Sequence, residues 1–101
     1  MVKHIILWKL KDELTEAEKA AVKKAAKAGL EALVGKVPGL IECKLIIDGR
    51  LDSSNADMML DSTLVSEEAL KGYAVHPDHV EVATTLIKPY ASVRTCLDFE
   101  C

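Results

Sequence analysis

The chain of 101 residues has the length of one domain, spanning 1–101, with half its residues hydrophobic, 4% aromatic and a formal charge of -3. This composition describes a packed aliphatic core and excludes a disordered chain. It also excludes nucleic-acid binding, which needs clustered Lys and Arg; Lys23, Lys24 and Lys27 alternate with alanines and read as a solvated helix face.

No apolar run approaches the roughly 20 residues needed to cross a bilayer, so no membrane partner is expected. The opening, MVKHIILWKLKDE, is too short and too charged for a signal peptide. Cys43, Cys96 and Cys101 form an odd set without CxxC spacing, which argues against a disulfide framework and against a zinc site. Free thiols in a reducing cytoplasm are the expectation.

In chain order, Val2 to Leu10 predicts a strand, with His4, Ile6, Trp8 and Leu10 on one face and Lys3, Ile5, Leu7 and Lys9 on the other. Its centre is apolar on both sides, so both faces should be covered. TEAE is a capping box, Thr15 to Glu18, and opens a helix over Glu16 to Val34. The stripe Ala17, Ala21, Ala25, Ala28, Ala32 is expected to lie close on a sheet, with Val22, Leu30 and Leu33 beside it. GKVPGL ends the helix. Ile41 to Asp48 predicts a second strand with Ile41, Cys43, Leu45 and Ile47 on one face. DGRLDSSNAD is the long polar loop, and Met58 to Leu64 a third strand, unusual for Asp61 at its centre. Ser66 caps a helix from Glu67 to about Val75. Pro77 suits the first turn of a third helix, running to about Leu86. Val93 to Phe99 is the last strand, with Val93, Thr95, Leu97 and Phe99 on one face.

The order β-α-β-β-α-(α)-β predicts an α+β fold of the ferredoxin-like, split βαβ type: a four-stranded antiparallel sheet with helices on one face. Ile6, Trp8, Leu45 and Ile47 are expected on the other face. Left wet, they would make a large apolar patch. A homodimer built sheet to sheet covers it, and so would a different protein partner.

VKHIILWKLKDE, VPGL, SEEALKGYAVHPDHVEV and the late DFE resemble the stress-responsive α/β-barrel (Dabb) family over nearly the whole chain. The resemblance implies a ferredoxin-like subunit whose sheet pairs with a second copy to form a barrel, and a small cavity between sheet and helices. It further implies, by analogy with a plant polyketide cyclase of this type, aldol chemistry without metal or organic cofactor. By motif position His79 would be the base and Tyr73 the supporting group, with His4 lining the pocket. This sequence departs from that enzyme: Trp8 puts an indole on the side of His4 and Ile6, and Val22 stands where an aromatic wall is wanted. The fold is therefore better supported than a long-chain polyketide substrate.

Chemically, enolisation needs a base with a pKa near ambient pH, which histidine supplies, and a donor for the developing oxyanion, which a tyrosine hydroxyl supplies. Tyr73 and His79 flank the break at Pro77, so two helix ends can aim at one point. The candidate site is thus His79 and Tyr73 for catalysis, with His4, Ile6, Trp8, Val22 and His76 around an apolar or phenolic ligand. The same residues have plain structural uses: His76 can cap the third helix, His79 can bond to backbone, and Tyr73 can pack in the core. His76 and His79 at i, i+3 lack a compelling third metal ligand, and a magnesium ion on loop carbonyls near LVGKVPGL would leave no sequence trace. Three readings stand: a cofactor-free cyclase or isomerase, a non-catalytic stress-related ligand-binding dimer, and a cofactor-independent monooxygenase.

Overall fold

The computed structural model describes residues 1–101. The elements are β1 (Val2–Leu10), α1 (Glu16–Glu31), β2 (Leu40–Ile46), β3 (Met58–Leu64), α2 (Glu67–Val75), α3 (Pro77–Val82) and β4 (Ala91–Glu100). A π-helical turn, Ala83–Ile87, continues α3. The sheet has the order β2-β3-β1-β4, and every neighbouring pair is antiparallel. With the helices on one face, this is the ferredoxin-like α+β arrangement.

Local signals set the element ends. Thr15 Oγ1 accepts from the Glu18 amide while the Glu18 carboxylate accepts from the Thr15 amide, closing the capping box at both donors. Ser66 caps α2 through the Ala69 amide. The first helix stops at Glu31, short of Val34, and its exit contains Gly35 at φ 91° and Gly39 at φ 80°. Glu31 accepts from Lys27 Nζ and from the Leu45 amide, while Lys27 Nζ donates to the Leu45 carbonyl. That pair satisfies the outward-facing N–H and C=O of Leu45 on the edge strand β2, which would otherwise be open to another strand there.

Which face is which differs from the sequence expectation. Ile6, Trp8 and Leu45 are buried under the helices and do not lie on the open face; Ile47 packs against the same core. The open face carries Lys3, Ile5, Leu7 and Lys9 of β1, in register with Phe99, Leu97, Thr95 and Val93 of β4. A strand apolar on both sides gives periodicity no way to choose; the bulkier Ile6–Trp8–Leu10 row takes the closed side, where more area leaves water. Asp61 also lies on the open face, ion-paired at 2.8 Å with Lys3 from the neighbouring strand. Its polarity therefore does not oppose the core.

Two further expectations are corrected. The alanine stripe of α1 faces solvent, whereas the line Val22, Ala26, Leu30 is buried, because the line that carries Val22 and Leu30 removes more apolar area from water than alanines alone. On β2 a bulge between Leu40 and Glu42 turns Ile41 outward, so the inward set is Leu40, Cys43 and Leu45.

Candidate active site

The closed side of the sheet presents a transverse polar row. Cys43, Ser62, His4 and Asp98 are register partners across all four strands. Ser62 is fully buried, and its hydroxyl donates to the His4 carbonyl at 2.8 Å. His4 Nδ1 donates to the Asp98 carboxylate. Tyr73, from the last turns of α2, lies over this row with its ring edge-on to His4, centroids 5.7 Å apart.

His79 comes from α3, beyond the break. Its ring lies 4.1 Å from that of Tyr73, tilted by 35°. The break that allows this approach is built locally: Pro77 starts α3, and His76 caps it by accepting the Asp78 amide on Nδ1. His79 Nδ1 donates to the Ala74 carbonyl at 3.3 Å. That acceptor fixes the proton on Nδ1 and leaves Nε2 as the basic nitrogen.

The two rings line a cavity of about 380 Å³ between sheet and helices. Its floor is Ile6, Trp8 and Leu60; its outer wall includes Ala83 and Ile87 of the π-helical turn, a distortion often found at functional sites. Lys88 and Arg94 are the charged residues on its lining, and neither makes an ion pair. A wider depression of about 480 Å³ lies by the loop after β2 and holds no histidine or tyrosine.

The site's electrostatics follow from burial. Burial lowers the pKa of His79; the hydrogen bond to the Ala74 carbonyl opposes it in part, and His4, Arg94 and Lys88 add smaller lowering effects. Burial raises that of Tyr73, so the phenol is a neutral donor. The Tyr73 hydroxyl is buried and has no hydrogen-bond partner. A buried donor without a partner is unusual in a folded protein.

Of the residues singled out in the sequence, Tyr73, His79, Ile6 and Trp8 line the cavity. His4 stands behind Tyr73 and contacts it without lining the cavity. Val22 lines a separate groove with Leu86 and Tyr90, on the far side of the π-helical turn. His76 is taken up by its capping role. Lys88, Arg94 and Asp98 were missed. Arg94 and Asp98 enter through the β1–β4 register, opposite Trp8 and His4, which pairing across some 90 residues decides.

The model of the stress responsive A/B barrel domain, Dabb, matches residues 2–101. The chain belongs to the Dabb family. Among solved structures, this Dabb chain resembles a dimeric protein of unknown function and ferredoxin-like fold from Bacteroides fragilis, with 29% identity, TM-score 0.92, and 99% of this chain and 95% of that one covered. A dimeric ferredoxin-like protein of unknown function from Thermobifida fusca is 26% identical, with TM-score 0.79 over 99% of this chain and 90% of that one. The hydroxynitrile lyase of Passiflora edulis shares the fold at 19% identity, with TM-score 0.76 over 97% and 90% of the two chains. No curated protein matches the chain. No helix of this Dabb chain is long and apolar enough to cross a membrane.

Proposed function

We propose that this Dabb protein is a homodimeric, cofactor-free cyclase or isomerase acting on a small carbonyl compound, with His79 as base and Tyr73 as oxyanion donor. The observation that carries the reading is the pair of Tyr73 and His79 rings, 4.1 Å apart on the lining of one apolar cavity, with the Tyr73 hydroxyl left without a protein partner. His79 Nε2 removes a proton from carbon next to the carbonyl. The C–H electron pair moves onto the carbonyl oxygen, where the Tyr73 O–H donates a hydrogen bond to the enolate. For a cyclase, the enolate carbon attacks a second carbonyl of the same molecule, and the His79 imidazolium returns its proton to the new alkoxide. For an isomerase, the proton returns at another carbon.

The unpaired cations Lys88 and Arg94 favour a substrate that also bears a carboxylate or phenolate. Trp8 shortens the space available, which favours a compact molecule over a long alkyl chain. The dimer is supported by the exposed apolar residues on the open sheet face, and by the dimeric descriptions of the Bacteroides and Thermobifida proteins. The three free thiols suit a cytoplasmic setting.

Proton–deuterium exchange tests the chemistry before a natural substrate is known. With levulinate in D₂O, the protein should accelerate exchange next to the ketone. His79→Ala should abolish the acceleration, and Tyr73→Phe should cut it by about 10²–10³-fold, as for loss of one oxyanion donor. Exchange equal in wild type and His79→Ala, with levulinate still bound, would instead establish a ligand-binding dimer without catalysis.

A further inference from the structure

Beside the cavity, on the flank of the sheet that the helices leave uncovered, His4, Cys96 and Asp98 bring three metal-ligating atoms within 4.8 Å of one another. The strands explain why. Cys96 and Asp98 are two apart on β4 and so project from the same face. His4 is the β1 register partner of Asp98, and Ile6 that of Cys96, so the imidazole reaches across to both. Cys96 Sγ lies 3.4 Å from Asp98 Oδ1 and 3.9 Å from His4 Nδ1. His4 is buried and its position is fixed, while Cys96 and Asp98 are exposed and accessible from solvent.

We propose that His4 Nδ1, Cys96 Sγ and Asp98 Oδ1 form a binding site for a zinc-like divalent transition metal. Metal–ligand distances of about 2.0–2.3 Å place the corners of a tetrahedron about 3.3–3.7 Å apart. The two edges that include sulfur already have about this length. His4 Nδ1 and Asp98 are hydrogen-bonded to each other; the cation takes the place of the shared proton, and the exposed Asp98 side chain swings out to open the third edge. A thiolate, a carboxylate and a neutral imidazole together carry two negative charges, which a divalent cation balances. Sulfur with imidazole selects zinc, cobalt or copper over magnesium and calcium. Three protein ligands leave a fourth position for water or an incoming ligand. The site is distinct from the His79–Tyr73 pair, and it stands or falls without the reading above.

Cobalt(II) titration of the reduced, metal-free protein tests it, since cobalt reports its ligands by absorption. A Cys101→Ser background removes the other exposed thiol. One equivalent of cobalt should produce a thiolate-to-metal charge-transfer band in the near ultraviolet and intense tetrahedral visible bands, and zinc should displace both. Cys96→Ser, a nearly isosteric change at an exposed position, should remove the charge-transfer band. Asp98→Asn should weaken binding by at least about tenfold with the circular dichroism unchanged. No saturable band at one equivalent, or a band that survives Cys96→Ser, would overturn the site. His4–Asp98 would then be a hydrogen bond that orients the imidazole and nothing more.

Discussion

The Tyr73 hydroxyl separates stability from function at the scale of one residue. A buried hydroxyl without a partner costs about 1–3 kcal/mol. Tyr73→Phe removes that cost and keeps the ring against His4 and His79. The variant should therefore melt no lower than the wild type while exchange activity falls; a lowered melting temperature would show that the hydroxyl has a hidden partner. His79 makes a second prediction, about pH. Burial first of all, with Arg94 and Lys88 nearby, holds its folded pKa below the usual ~6.5, against the opposing hydrogen bond to the Ala74 carbonyl. The folded state thus binds this proton more weakly than the unfolded state. Stability from His79 is full above ~6.5 and is lost as pH falls from there through the folded value. A proton-NMR titration should place the His79 midpoint below ~6.5. Urea unfolding should lose stability with acid in the wild type more steeply than in His79→Gln. Tyr73 and His79 were legible in the sequence because they flank one proline. Arg94, Cys96 and Asp98 were not, because strand pairing alone brings them to His4 and Trp8.

At the level of elements, the sequence located every strand and helix, since alternation, caps and Pro77 are local signals. It misjudged which faces are buried. On α1 both the alanine stripe and the Val22–Ala26–Leu30 line have helical spacing, and only the packing partner decides between them. The β2 bulge is likewise a consequence of pairing with β3. The loop from α1 to β2 offers a sharp test. Gly39 has φ 80°, and a Cβ there would lie 2.6 Å from the Ala69 Cβ at the start of α2. Its carbonyl also accepts from the Val65 amide. Gly39→Ala therefore meets both backbone strain and a clash with a rigid methyl. It should destabilise the fold by about 2–3 kcal/mol in urea unfolding. Gly35 has φ 91° with open space around it, so Gly35→Ala should cost only the strain, about 1–2 kcal/mol. Equal losses at the two positions would show that α2 yields to the added methyl.

The whole molecule leaves one large surface unexplained by a single copy. Leu7, Ile46, Val93, Leu97 and Phe99 are exposed on the open side of the sheet, with Leu97 exposed by 62%. The Lys3–Asp61 pair sits among them. A contiguous apolar face of this kind calls for a partner, and a second copy of the same sheet is self-complementary under a two-fold axis. The sequence led to the same expectation from the wrong residues: Trp8 and Ile6 belong to the cavity, and Leu7, Leu97 and Phe99 belong to the open face. Light scattering at micromolar concentration should give twice the 11.0 kDa chain mass. Leu97→Lys puts a charge into the proposed contact on its β4 side and should give a folded monomer by circular dichroism and light scattering. Val75→Lys is the control, because Val75 is exposed at the end of α2, on the opposite side of the molecule. It should remain dimeric. If Leu97→Lys stays dimeric and Val75→Lys dissociates, the copies meet through the helices, and the sheet needs a different partner. If both remain dimeric, the contact lies at a sheet edge, where β2 and β4 are the outer strands.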